Sequence, residues 1–278
     1  MGCSHNCSTC KDSDCKDRQS FLETPKPSTK IKKIIGVVSG KGGVGKSLVT
    51  SLLAVASNNK GYKTAIMDAD ILGPSIPKAF GFTDNDKAQG SEEGLFPVVT
   101  KKGIKVMSIN LLLEQETMPV VWRGPVVSGV VKQFYTDVLW GENDVMFIDM
   151  PPGTGDVPLT VYQSIPIDGI IVVATPQDLV KMIVEKAVNM ANMMAVPIYG
   201  IVENMSYITC PDCDKPIYLF GQGKVEKVAD EFDLELLARL PIDSEITRLV
   251  DDGQIELADV KNVEQIIDII LKENKNDA

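Results

Sequence analysis

The segment Ser39-Gly40-Lys41-Gly42-Gly43-Val44-Gly45-Lys46-Ser47 limits what this chain can fold into more than any other. It follows an apolar run, Ile34-Ile35-Gly36-Val37-Val38, and precedes a stretch from Ser47 to Asn59 in which Leu48, Leu52, Val55 and Ala56 recur at helical spacing. A buried strand, a glycine-rich loop and a helix, in that order, fit the phosphate-binding pattern G-x-x-x-x-G-K-[ST]. Glycines let consecutive backbone N–H groups turn inward around phosphate oxygens, and the helix N-terminus adds the positive end of its dipole. The pattern assigns Gly40, Lys41, Gly42, Gly43, Val44, Gly45, Lys46, Ser47 and Leu48 to a bound nucleotide. Lys46 would lie along the β- and γ-phosphates, and the Ser47 hydroxyl would help hold Mg²⁺.

From Ile31 onward apolar strands alternate with helical periods. Strands are expected at 64–67, 104–109, 145–148, 169–174 and 196–202, a helix over Asp178–Ala195, and a surface loop or hairpin over 82–103. Continuous apolar strands separated by helices indicate an α/β fold, a mostly parallel sheet covered on both faces. Two strands end in carboxylates, Asp68-Ala69-Asp70 and Asp149-Met150-Pro151-Pro152-Gly153-Thr154-Gly155-Asp156. The C-terminal ends of parallel strands are where ligands bind in such sheets. Asp149 is therefore the candidate Mg²⁺ carboxylate, Asp70 the candidate to orient an attacking water, and 149–156 a loop able to sense the γ-phosphate. The competing assignment for each carboxylate is a cap on the helix that follows.

Residues 1–30 differ from the rest: Cys-rich, polar, with Pro25 and Pro27 near the end. They read as a tail and linker attached to one domain over 31–278. The chain of 278 residues carries a net charge of −10, which disfavours a nucleic-acid partner needing a basic footprint. No stretch approaches the roughly 18–20 apolar residues of a membrane span. The start, Met1-Gly2-Cys3-Ser4-His5-Asn6, lacks the apolar core of a secretory signal, and Asn6 stands where a myristoylation motif wants Ser or Thr. A reducing, cytoplasmic setting is expected.

The 6 cysteines fall into two groups, Cys3, Cys7, Cys10 and Cys15 in the tail, and Cys210 with Cys213 in a C-x-x-C turn. Clustered thiols in a reducing compartment read as metal ligands or redox groups. Two thiolates at C-x-x-C spacing hold one edge of a metal centre, and closure needs further ligands from the tail or from a second chain. A redox pair would favour a C-x-x-C opening a helix, whereas Pro211 and Pro216 point to a hairpin turn. The four tail cysteines could wrap a centre of their own, and thiolate count alone does not separate zinc from iron–sulfur.

The string Gly40-Lys41-Gly42-Gly43-Val44-Gly45-Lys46-Ser47 resembles the deviant Walker A loop of MinD/ParA-type ATPases. In those proteins the signature lysine reaches the partner's nucleotide, which implies a homodimer with Lys41 catalytic in trans, beside Lys46 and Asp70. The further runs Asp68-Ala69-Asp70-Ile71-Leu72-Gly73-Pro74-Ser75, Trp122-Arg123-Gly124-Pro125, 149–156 and Val202-Glu203-Asn204-Met205-Ser206, followed by the Cys210/Cys213 pair, are together similar to the Mrp/ApbC family of P-loop ATPases. That resemblance covers about residues 31–271. It implies a MinD-like P-loop NTPase fold, ATP and Mg²⁺ binding with slow hydrolysis, and a 4Fe–4S cluster bridged between two chains by Cys210 and Cys213. The cluster would be taken from a donor and passed to apoprotein acceptors. The tail resembles that of longer eukaryotic cytosolic members, which implies a second cluster on Cys3, Cys7, Cys10 and Cys15, though this tail is shorter and spaced differently. Asn204 is assigned to the adenine ring by the same resemblance.

Three rivals stand beside this reading. One is a MinD/ParA-type positioning ATPase, another an ATP-gated electron donor like the nitrogenase iron protein, and the third a zinc-binding scaffold. Against the first, the final stretch balances Glu264, Asp268, Glu273 and Asp277 with Lys261, Lys272 and Lys275, leaving little attraction to anionic lipid. Its apolar stripe, Val260, Val263, Ile267, Ile270 and Leu271, is expected to be core.

Overall fold

The computed structural model describes residues 21–113, 124–177 and 180–272. Strand β1 (Lys30–Val38) leads through the glycine loop into α1 (Lys46–Asn59), followed by β2 (Thr64–Asp68) and the short α2 (Ile76–Ala79). Next come β3 (Val98–Val99), β4 (Lys105–Met107), α3 (Gly124–Thr136), β5 (Glu142–Asp149) and α4 (Asp156–Ser164). Then β6 (Gly169–Ala174), α5 (Val180–Met194) and β7 (Ile198–Glu203) lead to a small hairpin of β8 (Ile208–Thr209) and β9 (Pro216–Ile217). The chain closes with α6 (Lys224–Glu231), β10 (Leu236–Arg239), α7 (Ser244–Asp251) and α8 (Lys261–Lys272).

Among the described residues the main sheet runs β10-β7-β6-β1-β5-β2-β4-β3, and every neighbouring pair is parallel except β3 with β4. Alternate side chains of each strand face opposite layers, as a two-residue period requires. Ile34, Val38, Met146, Ile148, Ile170 and Val172 face α3, α4, α5 and α6, whereas Ile35, Val37, Phe147, Ile171 and Val173 face α1, α7 and α8. Each such fully buried side chain contributes about 1.5–3 kcal/mol of transfer free energy. Val263, Ile266, Ile267 and Ile270 of α8 belong to the second layer, so the C-terminal apolar stripe is core. No helix among the described residues is long and apolar enough to cross a membrane.

Two expected strands are shifted, each for a local reason. The strand expected at 104–109 is confined to Lys105–Met107, because Ser108 turns its hydroxyl to Asp68 at 2.9 Å and Ile109–Leu111 close a 3₁₀ turn. The strand expected from Val196 starts at Ile198. Ala195, at φ 55, ends α5, and the Val196 amide donates back to the Ala191 carbonyl at 2.9 Å. The segment 82–103 holds a bridge between Gly90 and Leu95 and the edge strand β3. The tail cysteines Cys3, Cys7, Cys10 and Cys15, and Trp122-Arg123, lie outside the described residues.

Candidate functional site

The glycine loop leaves β1 at the C-terminal edge of the sheet, with β5 on one side and β6 on the other. Its two motif glycines are required for different reasons. A Cβ on Gly40 would lie 2.5–3.0 Å from side-chain and backbone atoms of Ile183 in α5, so only hydrogen fits. Gly45 has φ 78, and a Cβ there would stand 2.1 Å from Asn204 Nδ2. Asn204, 2% exposed just past β7, donates its Nδ2 to the Val44 carbonyl at 2.8 Å. The residue assigned to the adenine ring thus also holds the phosphate loop in shape.

Asp149 is the hub beneath the loop. Its fully buried carboxylate lies 2.7 Å from Lys46 Nζ and accepts from Ser47 Oγ at 2.6 Å. Thr50 Oγ1 sits 2.8 Å from Asp149 Oδ1 and 3.0 Å from the Lys46 carbonyl, with one proton to give to one of them at a time. Asp70 approaches Lys46 Nζ at 3.9 Å. Asp68 is the direct cross-strand partner of Asp149, accepting from Ser108 Oγ at 2.9 Å and from the Asp70 amide at 3.1 Å. Burial, and then the neighbouring Asp149 carboxylate, push the Asp68 carboxyl well above the usual range, against the pull of Lys46. Burial also raises Asp70, with Lys46 opposing and Asp149 adding. One ammonium therefore faces three crowded carboxyl groups, a site short of positive charge.

A cavity of about 340 Å³ opens over this hub, lined by the loop together with Asp70, Gly73, Ser75, Pro152 and Val250. Leu48 separates it from a smaller, largely apolar slot of about 90 Å³ between Leu52, Asn204, Met205, Pro241 and Val263. A polar chamber joined to an apolar slot suits a ligand with a charged end and a flat apolar end. Asp149 and Ser47 offer only hard oxygen donors, so the pair fits Mg²⁺. The 149–156 loop is tied in by the Gly153 amide, which donates to the Ser39 carbonyl at 2.9 Å.

Lys41 does not share the Lys46 hub. Its Nζ donates to Gln177 Oε1 at 2.5 Å, on the segment between β6 and α5. Sequence reasoning passed over Gln177 and Thr50. Thr50 lies one helical turn past Lys46, and Gln177 follows a strand at the ligand-bearing edge, so each had a positional signal.

The thiols sit at the tip of the β8–β9 hairpin. Thr209 pairs with Pro216, the Cys210 amide donates to the Lys215 carbonyl at 3.0 Å, and Asp214 closes the turn at φ 55. Cys210 is half-buried and Cys213 exposed. Hydrogen bonds from the Asp212 backbone, then from the Cys213 side chain and backbone, lower the Cys210 thiol, favouring thiolate. Among the described residues no group of three or more His, Cys, Asp or Glu is close enough to hold a metal ion. The hairpin therefore offers two ligands.

Residues 30–273 match the family model described as ParA, NUBPL iron-transfer P-loop NTPase. An iron-sulfur cluster carrier protein of Methanocaldococcus jannaschii is 46% identical over 96% of this chain and 95% of its own length. One from Clostridium perfringens is 47% identical over 81% of each chain. Among solved structures, a nucleotide-binding protein from Archaeoglobus fulgidus in complex with ADP aligns with TM-score 0.73 and 47% identity, covering 82% of this chain and 88% of that one. A chain of a MinC:MinD cell division protein complex from Aquifex aeolicus, at 17% identity and TM-score 0.62 over 88% of this chain and 96% of that one, shares the fold. With its strand–loop–helix nucleotide site and this coverage, the chain belongs to the family of ParA/NUBPL iron-transfer P-loop NTPases.

Proposed function

We propose that the protein is an ATP-dependent iron–sulfur cluster carrier. As a homodimer it would receive a 4Fe–4S cluster from a donor and pass it to apoprotein acceptors. The observation that carries this reading is the half-site at the hairpin tip: two accessible thiols, one of them shifted toward thiolate, with no further ligand cluster among the described residues. A two-fold partner would bring Cys210 and Cys213 again and complete four thiolates. Exposure at a turn suits a cargo that must leave by ligand exchange. The relatives named iron-sulfur cluster carrier proteins support the same assignment.

In this reading the triphosphate lies in the polar chamber and the base in the apolar slot beside Leu48 and Asn204. The backbone amides of Gly40–Gly45 take phosphate oxygens, Lys46 turns from Asp149 to the β- and γ-phosphates, and Ser47 and Asp149 hold Mg²⁺. The metal supplies charge neutralisation on the phosphates when bound. Asp70 orients the water for slow hydrolysis, and Lys41 leaves Gln177 to reach the partner's nucleotide. The tail cysteines Cys3, Cys7, Cys10 and Cys15 would hold a second cluster. A positioning ATPase that docks on membranes is disfavoured because the apolar face of α8 is already packed on the sheet. A reducing, cytoplasmic setting would keep these thiols available as ligands.

Anaerobic reconstitution of the full chain tests this. Mössbauer spectra should report a 4Fe–4S cluster, and Cys210→Ser/Cys213→Ser should lose one cluster per dimer while still binding nucleotide. A double variant that keeps its full iron and sulfide load sinks the assignment. A cluster that changes redox state but never moves to an apo-acceptor would favour the electron-transfer rival.

A further inference from the structure

At the end of α1 remote from the phosphate loop, a cavity of about 580 Å³ opens where β2, β4 and β5 begin. Asn58 of α1 lines it, about 18 Å along the helix axis from Lys46, so it is separate from the nucleotide chamber. Three lysines line it, Lys63, Lys102 and Lys105, against one carboxylate, Glu142. A chain of net charge −10 thus keeps a concave, basic surface at the base of its sheet.

Two of these ammonium groups are held by neutral carbonyls. Lys105 Nζ donates to the Trp140 carbonyl at 2.5 Å and to the Glu142 carbonyl at 3.3 Å, and Lys102 Nζ donates to the Glu256 carbonyl at 2.6 Å. Among the described residues neither forms an ion pair. Lys63 does, with Glu142 at 3.3 Å, and both of those side chains are exposed. Burial lowers the Lys105 ammonium below the usual lysine range, with Lys63 adding to the effect and Glu142 opposing it. An anion among the three lysines relieves that repulsion.

Behind the lysines stands a buried acceptor. Asn143 lines the same cavity and is 3% exposed. Its Nδ2 donates to the Trp140 carbonyl at 2.9 Å, which fixes the orientation of the amide, and among the described residues its Oδ1 has no hydrogen-bond partner. Lys105 Nζ and Asn143 Nδ2 share that one carbonyl, so the ammonium sits beside the amide. A Lys105 side chain that swings onto an anion uncovers the Asn143 amide as it leaves.

We infer that this cavity binds an oxyanion carrying a proton of its own, of which inorganic phosphate is the simplest. Lys63, Lys102 and Lys105 take the unprotonated oxygens, and the P–OH donates to Asn143 Oδ1. Sulfate has the same shape but no proton near neutral pH, so it sets a lone pair against the lone pairs of that oxygen. The inference stands apart from the carrier reading and needs neither nucleotide nor cluster.

Acetylation of the nucleotide-free full chain, read lysine by lysine from peptide masses, tests it, with Lys186 on α5 as the reference. At equal pH and ionic strength, half-protection of Lys63 and Lys105 should need about tenfold less inorganic phosphate than sulfate, the discrimination expected of one hydrogen bond to a buried acceptor. Asn143→Leu, which keeps the size of the side chain, should abolish that ratio. Equal protection by the two anions in the wild type, or protection by neither, overturns the inference, and so does a ratio that survives Asn143→Leu. If that variant fails to fold, Lys102→Ala, at an exposed position, should raise the phosphate requirement about fivefold, and an unchanged requirement there overturns the inference instead.

Discussion

Gly45 and Asn204 form a contact whose energetics can be worked out in advance. Gly45→Ala places a Cβ at φ 78 and 2.1 Å from Asn204 Nδ2. The left-handed backbone costs about 1–2 kcal/mol for alanine. The clash also drives the amide off the Val44 carbonyl, and leaving that buried acceptor unpaired adds about 1–3 kcal/mol. Asn204→Ala alone forfeits the same bond by another route. The next atoms that the new methyl would meet are Asn204 Cγ at 3.4 Å and Met205 Cε at 3.8 Å, both ordinary contacts. In the Asn204→Ala background, Gly45→Ala should therefore cost only the backbone share, about 1–2 kcal/mol. The cycle predicts a coupling of about 2 kcal/mol, read from urea midpoints of nucleotide-free protein at constant slope. Additivity within about 0.5 kcal/mol would refute the clash as the link between the two residues.

Three further outcomes are expected. Asp149→Ala removes the 2.7 Å partner of Lys46 but leaves Asp70 at 3.9 Å and relieves Asp68 of a like charge, so in the same urea assay the nucleotide-free protein should lose less than about 3–5 kcal/mol, the cost of an unpaired buried charge. Because the Cys210 thiol is lowered, more of it is thiolate near pH 7.5, so iodoacetamide should alkylate apo-protein faster at Cys210 than at Cys213. Cys213→Ser should change the Cys210 rate, as mapped by peptide mass, and equal rates across pH 6–9 would contradict the lowered thiol. Gln177→Glu turns the bond from Lys41 into an ion pair, and should slow ATP hydrolysis several-fold with nucleotide affinity retained. An unaltered turnover rate would count against the proposed role of Lys41 in hydrolysis.

The phosphate loop was legible because its function depends on contiguous residues: glycines, one lysine and one hydroxyl between a strand and a helix. The continuous burial of β6 and of the C-terminal halves of β1 and β5 was legible for the same reason, since an unbroken apolar run is local. The Asn204–Val44 bond was not, because it joins residues 160 positions apart and exists only once β7 lies two strands from β1. The pairing of Lys41 with Gln177, 136 positions away, is likewise a product of tertiary placement. Strand β4 fell short of its apolar run because a side-chain bond from Ser108 to Asp68 outweighed strand propensity. The hairpin under Cys210 and Cys213 was readable from its prolines, whereas the shift of the Cys210 thiol came from amide directions that no spacing encodes.

Cys210 follows Asn204 by only six positions, and Asn204 grips the main chain that would wrap a triphosphate. A tether this short would pass a displacement of the loop on to the sulfur atoms. Thermodynamic reciprocity then imposes a debt in both directions. By whatever factor triphosphate changes retention of the inorganic cargo, an occupied pair of thiols must change triphosphate affinity equally, and a loaded carrier would announce its burden at the far end of the tether.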